Sequence, residues 1–400
     1  MKTKDARGRL GCAFGAFLLS MTIATAGAQP ARATLSSTNT LAHRMAAGRL
    51  VLRHEAGTGY LRSLLAELGI AEESQVLVFS KTSAQRENIS PRHPRAIYFN
   101  DHAYVAWVPE APILEISVVD PREGAVFYAI QQLAAPDPRL VRHDQCLECH
   151  TSDKTLHVPG YIVRSYPTDR NGVIDITAGS SMVDHRTPFA ERWGGWYISG
   201  HPGTALHRGR QIEAATKEHE ATGTEAQLEI GRYPQPTSDV VALLVLEHQA
   251  QMQNLLTRAQ RNDFPTARAG SLSRRDDPVE ELVRYLLFVD EAPLSKPVVS
   301  AGRFAAWFEQ QGPADSQHRS LRQLDLQTRL FKYPCSYMIY SESYEALPRD
   351  VRLKIYRRLW TILNGEDRDP AFAAIPAETK RAILEILIQT KADVPISWKL

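Results

Sequence analysis

The sequence predicts an α+β protein, with an antiparallel β-rich N-terminal half and a mostly α-helical C-terminal half. Two observations lead to this prediction. Between residues 76 and 130, short runs of β-branched and aromatic residues alternate with Pro, Asn, Asp and Gly, which is typical of strands joined by turns. From residue 239 onwards, apolar residues instead recur every three or four positions, which is the spacing of amphipathic helices.

The first predicted elements are one helix and five strands. Leucines at helical spacing predict a helix over Tyr60–Leu68, and Gly69 is expected to end it. The five strand candidates are Val76–Phe79, Ala96–Phe99, Ala103–Val108, Ile113–Val119 and Ala125–Ile130. Asn100-Asp101-His102 predicts a tight turn between two of them.

The middle of the chain carries weaker signals. Tyr161–Ser165 and Val173–Thr177 are predicted as further strands, joined by a turn at Asp169-Arg170-Asn171-Gly172. Residues 183–210 are predicted as a structured loop, because aromatic residues, glycines and histidines concentrate there. They are Trp193, Trp196, Tyr197, Gly194, Gly195, Gly200, Gly203, Gly209, His185, His201 and His207.

The second half is predicted to be helical. The clearest candidate is Asp239–Ala259, in which apolar residues form one stripe at helical spacing. Further helices are predicted over Pro278–Phe288, Ala301–Gln310, Arg349–Leu363 and Ala377–Gln389.

The N-terminus predicts an export signal. Lys2, Lys4, Arg7 and Arg9 form a basic region, Leu10–Ala26 is apolar or small, and Ala26-Gly27-Ala28 offers a cleavage site after Ala28. The apolar run is shorter than the roughly 20 residues of a spanning helix, so a retained anchor is the less favoured alternative. We therefore expect a periplasmic protein with no transmembrane segment in the mature chain.

Removing the signal changes the bulk properties and leaves two regions. Residues 1–28 hold four basic residues and one acid, so the formal charge of +2 becomes −1 for the mature chain, and nothing indicates nucleic-acid binding. We expect a β-rich region over residues 29–235, which contains the motif described next. A helical region over residues 236–400 is expected to pack with it as one unit.

The motif that carries chemistry is Cys146-Leu147-Glu148-Cys149-His150. Two thiols separated by two residues and followed at once by an imidazole are typical of covalent haem c attachment. Each thiol forms a thioether with one vinyl group of the porphyrin, and the histidine becomes the proximal axial ligand of the iron. The alternatives are a zinc half-site or a disulfide. Zinc usually requires a second Cys/His pair, no second CxxC follows, and a disulfide does not require His150.

This motif behind an export signal resembles the cytochrome c class. Two longer stretches, Phe79–Asp101 (with SKTSAQRENISPRHPRAIYFND) and Arg329–Glu342 (RLFKYPCSYMIYSE), resemble an uncharacterised family of large bacterial envelope proteins with one CxxCH. The resemblance implies one covalent haem at Cys146 and Cys149, His150 as axial ligand and a periplasmic location. The chain departs from small cytochromes because its motif is mid-chain, follows a predicted sheet and has no Met-Pro-like loop for a sixth ligand.

Several residues are candidates for that sixth ligand. His207 lies on the glycine- and tryptophan-rich loop, and His248 lies on the apolar stripe of the clearest helix, where a buried core histidine is the alternative. Met182 is a thioether option, whereas Met252 is expected to be core. The remaining options are His157, His185, His201 or no protein ligand at all.

Other residues carry weaker hypotheses. Arg164, Arg186 and Arg192 could pair with haem propionates, and Trp193 and Trp196 could pack on the porphyrin edge. Ordinary surface arginine and core tryptophan are the alternatives. Cys335 is the one mature cysteine outside the motif, and we expect it to be buried and inert rather than a reactive thiol.

Three functional hypotheses follow. The first is an exported mono-haem c-type cytochrome that exchanges electrons with a redox partner protein in the envelope. The second is a peroxidase-like haem oxidoreductase with an open distal site, although the familiar di-haem peroxidases need two CxxCH motifs. The third is a haem-bearing sensor or a subunit of an envelope complex. The occupancy of the sixth iron position separates the first from the second.

Overall fold

An antiparallel sheet organises the first half of the chain. The computed structural model describes residues 51–204, 206–212, 228–261 and 277–398, all within one compact unit. The predicted signal peptide and its cleavage site after Ala28 lie outside the described residues. The six strands of the sheet, each paired with the next in sequence, are Val76–Val78 (β1), Arg95–Phe99 (β2), Ala103–Trp107 (β3), Ile113–Asp120 (β4), Gly124–Gln131 (β5) and Leu140–Arg142 (β6).

Five of these strands are the predicted ones, and the α+β class is confirmed. Their burial explains the composition: almost every residue of β1 to β5 is buried or half-buried, which favours β-branched and aromatic side chains. The predicted turn also forms, because Asn100 Oδ1 accepts hydrogen bonds from the backbone N–H groups of His102 (3.1 Å) and Ala103 (2.9 Å). β6 was not predicted because its side chains are half-buried or exposed and leave no alternating pattern.

The two faces of the sheet have different neighbours. The helix Leu61–Leu68 (α1) contacts β3 and buries its four leucines, and it ends at Gly69 (φ 64°), as predicted. On the other face, residues of β1 to β5 join one large hydrophobic cluster with the helical half. They are Val76, Val78, Phe99, Tyr104, Val119 and Ala125. The regions before and after residue 235 therefore share a hydrophobic core.

One row of residues on that second face stays partly uncovered. The strand register aligns Ile97, Ala106, Glu115, Ala129 and Val141 across β2 to β6. Ile97, Ala106 and Glu115 are half-buried, Ala129 is buried and Val141 is 54% exposed. We call these five residues the open row. It lies next to the segment that follows β6.

One pair of short strands and a series of turns replace the predicted strands of the middle region. After Leu147–His150 (α2), Arg164–Ser165 (β7) pairs with Ser181–Met182 (β8). The prediction of a strand over Val173–Thr177 is wrong. Asp169 and Asp175 each accept hydrogen bonds from two main-chain N–H groups of the residues that follow them, so this stretch folds into turns. Ile174 forms an isolated β-bridge with Thr168.

The predicted loop over residues 183–210 contains short strands. They are Tyr197–Ile198 (β9), Gly200–Pro202 (β10) and Arg210–Gln211 (β11), which pairs with β9, whereas β10 pairs with Val298–Ser300 (β12) of the helical half.

The helical half is arranged around one central helix, Val240–Arg261 (α3). Eighteen of its 22 residues are buried, so α3 is covered on all sides rather than along the predicted stripe alone. The other helices are Pro278–Leu286 (α4), Phe304–Glu309 (α5), Glu342–Glu345 (α6), Arg349–Leu363 (α7), Pro370–Ala373 (α8) and Ala377–Thr390 (α9). In the described ranges, no helix is long and apolar enough to cross a bilayer.

Candidate functional site

The CxxCH motif lies directly after β6, on a short helical segment. A turn of 3₁₀ helix over Asp144–Cys146 leads into α2, and the His143 N–H donates to the Phe127 carbonyl (2.9 Å), which ties the segment to β5. Cys146 is half-buried and Cys149 is exposed, and both thiols are free. Residues three apart share one face of a helix, so both thiols are presented on the same side.

The ring of His150 is held in one orientation by the main chain. Its Nδ1 donates to the Gly160 carbonyl (2.8 Å), and the Gly160 N–H donates back to the His150 carbonyl (2.9 Å). The ring of Phe127 packs beside it at 4.7 Å between centroids. A carbonyl can only accept, so the proton of the neutral imidazole resides on Nδ1, and Nε2 carries the free lone pair.

The electrostatic environment favours the neutral ring. Burial lowers the pKa of His150 from its ordinary value, the bond to Gly160 raises it, and the charge of Arg95 lowers it further. Nε2 makes no hydrogen bond within the described ranges. Neutral imidazole with a free Nε2 is the form that ligates a metal ion.

The carbonyl that orients His150 is itself fixed by α3. Asn254 Oδ1 accepts from the Tyr161 N–H (2.8 Å), and its Nδ2 donates to the Tyr161 carbonyl (2.9 Å). A Cβ on Gly160 would lie 2.2 Å from Asn254 Oδ1, so only glycine allows this approach. The central helix therefore sets the position of His150 through two main-chain residues.

The open row runs beside the motif. Burial raises the pKa of Cys146, and the charge of Glu115 raises it further. At His150, whose pKa is lowered overall by burial, the charge of Glu115 acts in the opposite direction. Arg95 Nη1 forms an ion pair with Glu115 Oε2 at 3.2 Å, whereas Arg95 Nε is buried without a hydrogen-bond partner in the described structure. The row thus combines four apolar side chains with the carboxylate of Glu115, and Arg95 beside it carries one unsatisfied cationic donor.

His248 lies elsewhere, in a buried polar cluster. Its Nδ1 is 2.8 Å from Nδ1 of His185 and its Nε2 is 2.7 Å from Oγ of Ser336, so both ring nitrogens are engaged. Its ring also stacks on Phe288 at 4.3 Å. The structure favours the core-histidine alternative, and a role as sixth ligand would require His248 to give up one of these contacts.

His207 likewise makes its contacts with residues outside the motif. Its Nδ1 accepts from the Gly209 N–H (3.1 Å), and its half-buried ring meets the edge of Trp193 at 5.3 Å. Partial burial lowers its pKa. No hydrogen bond or ring contact within the described ranges joins His207 or His248 to His150.

The other histidine and methionine candidates are also accounted for. His157 is exposed, and exposed His201 uses Nδ1 to accept from the Gly203 N–H at 3.2 Å. His185 is buried in the cluster with His248. Met182 is 38% exposed on β8. None of them has a hydrogen bond or ring contact with His150 in the described structure.

The arginine and tryptophan candidates mostly have protein partners already. Arg186 binds Asp184 through two nitrogens, and Arg192 forms a buried ion pair with Glu247 at 2.8 Å. Burial raises the pKa of Glu247 to about 7, and the charge of Arg192 opposes that rise. Arg164 stacks on the ring of Tyr166 at 4.4 Å. Trp193 donates its indole N–H to Glu247 at 2.6 Å, and Trp196 donates its indole N–H to the Arg164 carbonyl at 2.8 Å.

Sequence reasoning missed the residues that actually surround the motif. Arg95, Glu115, Phe127, Gly160 and Asn254 were not singled out. Glu115 had one readable signal, since it is the only charged residue within the predicted strand Ile113–Val119. The others are ordinary members of a strand, loop or helix until the fold brings them together.

Comparisons with family models, with curated proteins and with solved structures returned no match. Within the described ranges, no three His, Cys, Asp or Glu side chains converge as a group able to hold a metal ion.

Proposed function

We propose that this chain is an exported mono-haem c-type cytochrome that acts in electron transfer. In this proposal Cys146 and Cys149 would hold the haem through thioethers, and His150 would ligate the iron through Nε2. The observation that carries the proposal is the hydrogen bond from His150 Nδ1 to the Gly160 carbonyl, because it leaves Nε2 as the ligating atom beside two free thiols.

The surroundings of the motif fit a porphyrin in two further respects. A haem is a flat apolar ring with two carboxylates on one edge. The open row offers a partly uncovered strip of sheet that is apolar except for Glu115, and the unsatisfied Nε of the neighbouring Arg95 is a donor that suits a propionate carboxylate.

A bound haem supplies a one-electron Fe(III)/Fe(II) couple, and the chain tunes the site around it. The Gly160 carbonyl increases the basicity of the imidazole by accepting its Nδ1–H, and Asn254 keeps that carbonyl in place. Phe127 packs beside the ring of His150 and shields it from water on the side of the sheet. Glu115 and Arg95 fix charge of both signs close to His150.

One observation supports the alternative hypothesis of a haem enzyme with an open distal site. Both nitrogens of His248 and the Nδ1 of His207 already have partners, so the two favoured sixth ligands are not presented freely. An iron with only His150 on the protein side would leave a position for a small molecule.

An optical spectrum of the purified mature protein tests both proposals. We expect the alkaline pyridine spectrum of a thioether-linked haem, with loss of covalent haem in Cys146→Ala and Cys149→Ala and retention in the control Cys335→Ala. If the unmodified protein contains no covalent haem, the whole assignment is contradicted, and zinc binding becomes the favoured reading of the motif.

The same sample separates the carrier from the enzyme. A low-spin spectrum that does not respond to carbon monoxide means that two protein ligands fill the axial positions and favours electron transfer. A high-spin spectrum with ready carbon monoxide binding contradicts the carrier and supports the enzyme. His207→Ala and His248→Ala then identify a protein ligand, because only the ligand's variant becomes high-spin.

Periplasmic location and an envelope redox partner belong to the same proposal. Mass spectrometry of the secreted form should give a mature chain that begins at Gln29. A chain that retains residues 1–28 would contradict export with cleavage.

A further inference from the structure

A cleft of about 580 Å³ opens where the chain leaves β1. The CxxCH motif follows β6, so the two features lie at opposite edges of the six-stranded sheet. Phe79 and Tyr166 give the cleft aromatic walls, and Arg208 and Arg210 give it positive charge. The described residues that line it include no Asp or Glu.

The two arginines are presented by an extended segment. Arg210 pairs with Tyr197 in the β11–β9 ladder, and the N–H groups of Arg208 and Arg210 donate to the carbonyls of Arg192 (3.0 Å) and Trp196 (2.9 Å). Residues two apart on an extended chain project to the same side. A Cβ on Gly209 would lie 2.3 Å from the Ile198 side chain, so the segment lies flush against β9 on its other side.

Among the residues that the structure describes, no carboxylate pairs with either guanidinium. The Arg210 guanidinium lies over the rings of Phe79 at 4.7 Å and Tyr197 at 5.8 Å, which fixes its plane without neutralising its charge. Arg208 is exposed, and within the described ranges neither arginine makes an ion pair or a side-chain hydrogen bond to protein. Two like charges held on one side of a strand favour binding of an anion.

A strained turn connects both walls of the cleft. Trp193 is buried and has φ 70°, a backbone conformation that bulky residues rarely adopt. The turn's carbonyl groups at Arg192 and Trp196 hold the arginine segment, and the carbonyl of Gly195 accepts from the Phe79 N–H at 2.8 Å. Strain of this kind persists where surrounding contacts over-determine it, and it concentrates at binding sites.

The strained turn is anchored in the core. Glu247 of α3 accepts from Arg192 Nη1 at 2.8 Å and from Trp193 Nε1 at 2.6 Å. The main chain behind the cleft is therefore held by buried contacts, which lowers the cost of ordering this part of the site when a ligand binds.

We propose that this cleft binds a small anion in which a phosphate or carboxylate group is joined to a flat ring. Arg208 and Arg210 hold the anionic group, because guanidinium forks match carboxylate and phosphate oxygens, and the ring packs against the aromatic wall that includes Tyr166. The site is independent of the haem proposal, since no residue of the motif lines it.

Calorimetric titration of the purified mature protein tests this inference, with inorganic phosphate, phenyl phosphate and benzoate as probes. We expect saturable binding that is tighter for phenyl phosphate than for inorganic phosphate. Arg208→Gln should weaken binding about tenfold, the usual effect of losing one charge-assisted contact. Arg210→Lys keeps the charge but loses the fork, and it should also weaken binding.

Arg170→Gln is the matched control, because exposed Arg170 follows the lining residue Thr168 by two positions but does not itself line the cleft. It removes the same charge and should leave the affinity unchanged. If Arg170→Gln and Arg208→Gln weaken ligand binding equally, the effect comes from general surface charge, and the proposal is overturned. Absence of saturable binding by all three probes at millimolar concentration would overturn it as well, and equal affinity for the two phosphates would overturn the role of the ring.

Discussion

Asn254 brackets the main chain of Tyr161 from both sides, since it accepts from the N–H at 2.8 Å and donates to the carbonyl at 2.9 Å. This relationship joins the centre of the helical half to the loop that orients His150. A buried amide on the central helix therefore acts on the CxxCH motif without touching it. Its removal should affect both the stability of the fold and the orientation of His150 in the candidate site.

Asn254→Leu should destabilise the fold by about 2–4 kcal/mol, because two buried main-chain groups lose their partners. Urea unfolding measures this change. Gln260→Leu on the same helix is the control, since its Oε1 is buried without a partner in the described structure, and its cost should stay below about 0.5 kcal/mol. If both variants lose the same free energy of unfolding, the hydrogen bonds of Asn254 to Tyr161 make no special contribution to stability.

Gly160→Ala should force the chain away from Asn254, because a Cβ would stand 2.2 Å from Oδ1. We expect destabilisation of about 1–3 kcal/mol and, in protein that carries the proposed haem, a shifted absorption spectrum, since the Gly160 carbonyl orients His150. Gly231→Ala is the matched control, because a Cβ there meets nothing within 4 Å. An unchanged spectrum in a destabilised Gly160→Ala protein would show that the loop does not govern the ligand.

Glu247→Gln should be among the most damaging single substitutions, because it leaves the Arg192 charge buried without its carboxylate. The expected cost is about 3–5 kcal/mol in the free energy of unfolding, measured in guanidinium chloride. Glu87→Gln removes an exposed partner of Arg86 and should cost less than about 1 kcal/mol. A small effect at Glu247 would mean that the pair is dispensable for the strained turn at Trp193.

The buried His185–His248 pair should make the fold sensitive to acid. Burial lowers both pKa values well below the ordinary value, so the unfolded chain binds these protons and the folded chain does not. Their contribution to stability is present above about pH 6.5 and is lost as pH falls, by up to about 1.4 kcal/mol per pH unit for each histidine. Glu247 acts in the opposite direction because its pKa is raised to about 7.

A difference measurement isolates the two histidines. Urea unfolding at pH 7.5, 6.5 and 5.5 should give a shallower loss of stability for His185→Phe/His248→Leu than for the unmodified protein. His318→Asn, at an exposed histidine, should keep the original slope. Parallel slopes for all three proteins would exclude the pair as the source of acid sensitivity.

Cys335 should be inert in the folded protein. It is fully buried, and burial raises the pKa of its thiol to about 12, so the reactive thiolate is not formed near neutral pH. If both motif thiols carry haem, a thiol reagent should find no reactive group in the native mature protein and one in guanidinium chloride. Fast native labelling would contradict either the burial of Cys335 or the attachment of haem.

The local elements could be predicted because neighbouring residues determine them. The helix before Gly69, the turn at Asn100 and the helix over Arg349–Leu363 each follow from spacing, capping or turn chemistry within a few residues. The stretch over 173–177 misled the same reasoning, since its β-branched residues suggest a strand while Asp169 and Asp175 hold the backbone in turns.

The sequence by itself determined the donor set of the candidate site. The two thiols and the imidazole lie within five consecutive residues, and covalent spacing alone keeps them together. Tertiary structure decided the rest, because the tautomer of His150 depends on Gly160, and Gly160 depends on a helix residue 93 positions beyond Tyr161. The tertiary structure also gives both ring nitrogens of His248 hydrogen-bond partners, which the apolar stripe in the sequence cannot reveal. Contacts between distant residues depend on how whole elements pack, and local spacing carries no record of that packing.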